Sequence, residues 1–583
     1  MRSKIIVDNT IQQRRKIFNK KLLNLSVAAA CTMMVTPILA KEFSLGSNWE
    51  GTFDTSLTYS TMIRVRDADP SLMTIGVGGN EALGQSADNH NPNKDDGNFN
   101  FESGDQVTNT FKVSYDLNLK RELDSGATLG FFNRGLAFYD TIIMNEGTAY
   151  NSSTQFTNNR FYAGEDPTDF SDATKDRIGR DAKFLDAFVY YQGDLGEMPL
   201  SLRAGRQVIN WGENAFIQSG ISNAINPADI TQAKLPGTAV KDILLPQAAL
   251  FGSLGVSDSV TIEAYYQFEW QRTIAPAAGT FFNTNDFIAE DGAETLVLPT
   301  PANFNGPHPY YSRDKTLEPS DSGQWGLALR WFSEDLNETD FGFYALNYHS
   351  KLPTIGVSGA PVPEATYNIG YLEDISLYGL SFNTVAWDTA FSGEVAYHEG
   401  TQVQTVRFGP DAIGKGIQAA GDPSKSLIAT PENVVVSQLT INRSLSSVAG
   451  FRNLADAVGF IIELGAVYTP DLEDGELFRG LDRADQFAWG YKGKFNLTYF
   501  DGIGQHISSL SGTDLGVSFV FSHGVDGISA IPAGSFTEDA KSLGVNISAN
   551  WQNTIEASLG FNYFSDSILE DHDNATFTLK YLF

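Results

Sequence analysis

Cysteine is almost absent. Cys31 is the only one in 583 residues, so the rest of the chain can form no disulfide and no thiolate metal site, and its fold must hold without staples. Basic residues are also scarce: 40 Lys and Arg stand against 70 Asp and Glu, a formal net charge of −30. That balance excludes electrostatic binding of nucleic acid. Seven histidines lie scattered from His90 to His572, and no phosphate loop, Cys/His metal spacing or Gly-x-Ser-x-Gly elbow is present. His349-Ser350 and Ser522-His523 are adjacent pairs. Neighbours on a strand point to opposite faces, so neither pair makes a dyad unaided. No cofactor and no catalytic activity are expected. Asp95-Asp96-Gly97-Asn98 has the oxygen-rich composition of a calcium loop but lacks the full spaced ligand set. Long apolar runs are missing too: beyond residue 40 none approaches the roughly 18 residues a transmembrane helix requires, so a membrane would have to be crossed by strands.

What is present begins with Arg14, Arg15, Lys16, Lys20 and Lys21 ahead of the apolar stretch Leu22 to Leu39, which closes on Ala40. Residues 1–40 read as a secretory signal peptide. An alternative takes Ala28-Ala29-Ala30-Cys31 as a lipoprotein box, although the apolar run continues past it through Met33, Met34 and Val35. The first 40 residues hold seven Lys or Arg and one Asp, leaving 33 basic and 69 acidic groups and a net charge of −36 for 41–583. Acidic outer loops of that kind are solvated and self-repelling, or bridge to lipopolysaccharide through divalent cations.

The last nine residues read ATFTLKYLF. Ala575, Phe577, Leu579, Tyr581 and Phe583 take one face of a strand, and Thr576, Thr578, Lys580 and Leu582 the other. A lipid-embedded sheet leaves no edge, so this strand is expected to pair with the first one, near Gly51 to Val65. Phe577, Leu579, Tyr581 and Phe583 resemble the C-terminal aromatic signal read by the barrel assembly machinery. Period-two stripes recur through the chain. Phe487, Trp489, Tyr491, Phe495, Leu497 and Tyr499 alternate with Ala488, Gly490, Lys492, Lys494, Asn496 and Thr498. Val260, Ile262, Ala264, Tyr266, Phe268 and Trp270 alternate with Thr261, Glu263, Tyr265, Gln267, Glu269 and Gln271. Aromatics near stripe ends match interfacial girdles. The pattern predicts an all-β transmembrane antiparallel β-barrel of about 16 strands, within a range of 14–18, as one domain over 41–583. Tight turns are expected at Leu123 to Gly126 and Gln552 to Thr554. Long outward loops are expected over Asp67 to Gly104, Asn145 to Arg180, Thr273 to Ser322 and Gly409 to Ser447.

Between Ser201 and Leu254 the alternation fails. Arg206, Gln207, Asn210, Trp211 and Glu213 crowd together, a short helix or folded loop is expected over Ala215 to Ala224, and Asn226-Pro227-Ala228-Asp229 follows. Irregular polar backbone is tolerated only inside the barrel or outside the bilayer. Residues near 205–245 are therefore expected to form a lumen insert or plug, or else an external loop. Arg206 and Glu213 would be a charged pair holding it.

At these residues the chain resembles a large family of Gram-negative outer-membrane proteins with a domain of unknown function. The resemblance rests on Gly51-Thr-Phe-Asp-Thr-Ser-Leu-Thr-Tyr59, Asp96-Gly-Asn-Phe-Asn-Phe101 with Gly104-Asp105, Gly205-Arg-Gln-Val-Ile-Asn-Trp-Gly-Glu213, Asn226-Pro-Ala-Asp229, Tyr266-Gln-Phe-Glu-Trp270 and Gly279-Thr-Phe-Phe-Asn-Thr-Asn-Asp286. It thins beyond about Pro299. The resemblance implies a cell outer membrane barrel often encoded near an RND-type transporter and a second exported protein, a periplasmic partner, with hydrophobic or sterol-like cargo. It carries no catalytic residues. The expectation is thus a transport or channel barrel in contact with outer-membrane lipid and lipopolysaccharide. The alternatives are a general porin for small polar solutes and, further off, an outer-membrane hydrolase. A TonB-dependent receptor would need a plug domain ahead of the barrel, and strand-like Gly51 to Val65 begins too early for one.

Overall fold

The computed structural model describes residues 41–583 apart from 47, 70–96, 147–168, 285–286, 290–294, 298–309, 359–363, 406–416, 420–421, 428, 449, 480–481 and 531–534. The signal-peptide reading, the lipoprotein box and Asp95-Asp96 lie outside the described residues.

One hydrogen-bonded sheet of nineteen strands dominates the chain. Its first strand, Lys41–Leu45, only doubles back on the next one. The other eighteen close on themselves. They are β1 (Trp49–Arg64), β2 (Gln106–Glu122), β3 (Thr128–Asp140), β4 (Arg180–Leu195), β5 (Met198–Gln207) and β6 (Gln247–Ser257). There follow β7 (Val260–Gln267), β8 (Trp325–Ser333), β9 (Thr339–Tyr348), β10 (Ile375–Ala386), β11 (Thr389–Val403) and β12 (Thr430–Ser444). The set ends with β13 (Ala457–Tyr468), β14 (Phe487–Tyr499), β15 (Thr513–Asp526), β16 (Lys541–Trp551), β17 (Ile555–Ser565) and β18 (Asn574–Leu582). Eighteen is the upper end of the expected range.

Closure runs along the C-terminal strand. β18 pairs antiparallel with β1 from Ser56↔Leu582 to Arg64↔Asn574. Phe583 then exchanges two backbone hydrogen bonds with Thr55, at 2.7 and 2.9 Å. β2 takes the opposite edge of β1, so no barrel strand keeps a free edge for another chain.

At one end of the barrel the strands are joined by tight turns. Gln552 and Asn553 have φ of 52° and 54°, and Trp387 and Asp388 have 51° and 57°, the left-handed pair that a two-residue hairpin needs. Leu123 N–H donates to Ala127 O across the first turn. At the other end the connections are long, and six short strands form a second sheet there, with Tyr311, Val357, Tyr367 and Ile369 in its core. The outward face of the wall is apolar: Leu202, Leu250, Ile262, Leu327, Leu380, Val395 and Leu559 are exposed. Trp325, Tyr266 and Phe487 stand exposed near strand ends, as interfacial girdles do.

Two expectations are corrected. Gly409 to Ser447 is not one outward loop, because it contains β12. Its lumen-facing Val434 and Val436 are buried under the insert, so the sequence shows Val434-Val435-Val436 in a row and the alternation that marks a wet lumen disappears. Trp270 does not continue the outward stripe of β7, which ends at Gln267. It is buried edge-on against Tyr371, with ring centroids 4.7 Å apart.

Candidate functional site: a folded insert in the barrel lumen

Between β5 and β6 the chain leaves the wall and crosses the lumen. It carries two helical turns, Ile221–Ile225 and Ile230–Lys234, and a 3-10 turn, Val240–Asp242. The helix expected over Ala215 to Ala224 therefore begins at Ile221. Ala215, Phe216 and Ile217 stay outside the helix, in an irregular bend whose backbone N–H groups are held by the wall.

The first arm, 208–226, is fastened to β7 through β13 by carboxylates. Glu463 of β13 accepts from the N–H groups of Ala215 (2.8 Å), Phe216 (2.5 Å) and Ile217 (2.6 Å). Glu394 of β11 accepts from Glu213 N (2.6 Å) and Ile221 N (3.0 Å). The helix Ile221–Ile225 has no side-chain cap of its own, so Glu394 does from the wall what a local N-cap residue would otherwise do. Gly212 and Gly220 permit the approach: a Cβ on either would lie within 2.5 Å of a Glu394 carboxylate oxygen. Trp211 Nε1–H donates to Glu263 Oε2 of β7 at 2.7 Å, and its ring packs on Tyr265 and Tyr344 at 5.0 and 5.7 Å. His398 Nε2 donates to Ser219 O at 3.1 Å, while its Nδ1 accepts from Tyr348 Oη–H. Ile217 is fully buried among Val436, Val467 and Phe536. These bonds satisfy polar backbone that would be costly to bury unpaired.

The second arm, 227–246, leans on β1, β2, β4 and β18. Asp229 Oδ1 caps Ile230–Lys234 by accepting from Gln232 N at 3.0 Å, and its Oδ2 pairs with Lys183 of β4 at 3.2 Å. Lys112 of β2 pairs with Asp242 at 3.1 Å, and Lys241 with Asp116 of β2 at 2.6 Å. Gly237, with φ +75°, rests on Thr578 of β18.

The residues singled out in the sequence divide in their surroundings. Trp211 and Glu213 sit in the first arm, where Glu213 accepts from Asn383 Nδ2 at 3.3 Å and burial pushes its carboxyl above the usual range. Asn226 braces that arm: its Oδ1 accepts from Ile209 N at 3.1 Å and its Nδ2 donates to Ile209 O at 2.8 Å. Gln207 ends β5 buried, with its amide on Ala249 O at 2.9 Å. Asn210 is exposed. Arg206 does not pair with Glu213. It lies on the alternate face of β5 from Gln207 and meets Glu269 at 3.3 Å, because a period of two sends neighbours to opposite sides. Glu394, Glu463, Glu263 and His398 were not singled out. A signal existed for Glu463, the one charge in the apolar run Phe460 to Tyr468.

The same lumen face is buried or accessible according to whether the insert covers it. On β9 through β13, Tyr344, Leu346, Leu377, Ala396, Val436 and Glu463 are buried. From β14 to β18 the inward positions continue through the cross-strand pairs Lys492↔Ser522, Ser522↔Ser542, Asn546↔Gly560, Ser548↔Ser558 and Glu556↔Lys580. On β15, β16 and β17 none of the inward positions 514–522, 542–550 and 556–562 is buried. They are Ser, Asn, Gly, Asp514 and Glu556, with Val520 the one apolar side chain.

A closed membrane barrel whose lumen is crossed by a folded insert and lined on its free side by accessible polar groups is an outer-membrane channel. The chain belongs to the family of proteins of unknown function termed DUF1302, whose model matches residues 21–583. Among curated proteins nothing matches. Among solved structures, the chain is similar to the Acinetobacter baumannii protein OccAB3, at 8% identity over 91% of this chain and 99% of that one, with a TM-score of 0.41. It is similar to A. baumannii OccAB4, at 10% identity over 92% and 98%, TM-score 0.40. Pseudomonas aeruginosa OccK1 (OpdK) is similar at 8% identity over 91% and 98%, TM-score 0.38.

Proposed function

We propose that this channel carries small water-soluble solutes along the arc from β14 to β18, with the insert acting as a fixed constriction. What supports the reading is the composition of that arc: fourteen accessible inward positions on β15, β16 and β17 hold Val520 as their one apolar side chain. A rigid hydrophobic cargo would need an apolar track to offset the loss of its own favourable partitioning. Of the two cargo classes raised by the sequence, small polar solutes therefore suit the lumen better than sterol-like compounds. A periplasmic partner, and through it an RND-type transporter, would meet the end with the tight turns.

Purified protein in liposomes provides the test. Swelling should be fast with amino acids and small organic acids and should fall steeply with solute size, because the insert leaves only part of the lumen free. Transfer of a labelled sterol without permeation of any small polar solute would overturn the proposal.

A further inference from the structure

We propose that a groove on the outward face of the wall, across β9 to β14, seats one acyl chain of lipopolysaccharide, the lipid of the outer leaflet. The site lies on the far side of the wall from the lumen, so it does not depend on what the channel carries.

Alternation and side-chain size together shape the groove. Outward positions on neighbouring strands meet across the ladder as Phe343↔Leu380, Leu380↔Val395, Val395↔Ser437, Ser437↔Ala466 and Ala466↔Trp489. That row drops to a floor at Ser437 and Ala466 and rises again at Trp489. In the next row toward the tight turns, Phe382 lies against Gly393, where a Cβ would come within 2.7 Å of its ring. The result is a groove of about 590 Å³, in which Ser437 is the one polar side chain at an outward position. Ligand pockets span about 300–1,000 Å³, so this is a seat and not surface roughness.

Its position names the occupant. The row on the long-connection side runs Tyr378↔Tyr397, Tyr397↔Val435, Val435↔Tyr468 and Tyr468↔Phe487. Aromatics so placed mark the headgroup level, and long connections mark the outer surface. A groove directly beneath that row opens among the lipid chains of the outer leaflet. Lipid tails are as apolar as the wall, so no hydrophobic force holds a chain there and close fit decides. A chain lying in the groove touches protein on three sides instead of one, which multiplies its atom contacts. A second copy of the barrel fits less well, because two such grooves facing each other across a twofold axis would enclose a void.

The groove is also held in shape from behind. On the inner side of the same strands Glu394 grips Glu213 N and Ile221 N, and Gln438 Nε2 donates to Ile217 O at 3.3 Å. The insert thus fixes β11 and β12 beneath the floor, and a chain enters a seat that needs little reorganisation.

Native mass spectrometry of the full-length protein in nonionic detergent, titrated separately with lipid A and with phosphatidylethanolamine, tests the site. The wild type should keep one lipid A at detergent concentrations that strip phosphatidylethanolamine. Ser437→Leu combined with Ala466→Leu fills the floor and should weaken lipid A retention by about tenfold. Each single change should weaken it by a smaller factor, and either one carries the test if the pair does not fold. Ala204→Leu, at an exposed outward position on β5, should leave retention unchanged. Equal retention by the wild type and the floor variants, an equal loss in Ala204→Leu, a preference for phosphatidylethanolamine, or a dimer that the floor variants abolish would each overturn the proposal.

Discussion

Replacing Glu463 with glutamine keeps the side chain's length and shape but removes one acceptor oxygen. In the wild type Oε1 accepts from Ala215 N and Oε2 from Phe216 N and Ile217 N. Whichever way the new amide turns, its NH2 faces at least one of these backbone donors, of which Ile217 N is the buried one. The least costly orientation leaves the partly exposed Ala215 N–H without its acceptor, about 1 kcal/mol, and weakens the other two bonds by removing their charge assistance, about 1 kcal/mol each. A total of about 3 kcal/mol lowers the ratio of docked to released first arm roughly 100-fold, since each 1.4 kcal/mol is about tenfold. Glu463→Ala removes all the acceptors and should release the arm further. The barrel should survive both changes, because its closure depends on the β1–β18 ladder and not on the insert. Hydrogen exchange at the amides of Ala215, Phe216 and Ile217 is the direct assay, and single-channel current is the second. The variant should exchange those amides faster and pass a larger, noisier current, while its heat-modifiable band on a gel stays as in the wild type. Exchange at these three amides within about twofold of wild type would refute the claim that Glu463 holds the insert.

Gly237→Val tests the second arm. At φ +75° a β-branched residue is strained, and its Cβ would meet Thr578 Cγ2 at 2.6 Å, so the variant should cost about 1–3 kcal/mol and raise the current by lifting 235–242 off β18. Deleting Phe583 removes both backbone bonds to Thr55 at the seam, and the expected result is a lower yield of folded, heat-modifiable protein in outer membranes. Equal yields would separate the terminal aromatic from assembly.

Much of the wall was legible because its physics is local. Along Phe487 to Tyr499 and Val260 to Phe268 a two-residue period separates a face for lipid from a face for water, and that period needs no knowledge of the partner strand. Where the inner face is dry, the signal vanishes. Val434 and Val436 are buried by an insert some 200 residues earlier in the chain, so β12 reads as a short run of valines within a polar loop. The insert itself could be noticed as a failure of alternation around Arg206 to Asp229. Its fastening could not, because the acceptors come from β7, β11 and β13, and the tempting local pair, Arg206 with Glu213, is separated by the pleat of β5.

The sequence by itself determined that this is a membrane barrel, with no apolar run beyond residue 40 long enough for a transmembrane helix, apolar and polar faces at period two, and an aromatic strand at 575–583 expected to meet the strand near Gly51 to Val65. Those features follow from the bilayer's demand that every backbone group be paired within the chain. Only the tertiary structure decided that there are eighteen strands, which arc of the lumen stays accessible, and which carboxylates hold the insert. Those depend on which residues closure brings face to face across the lumen, and that distance in space leaves no periodic trace along the chain.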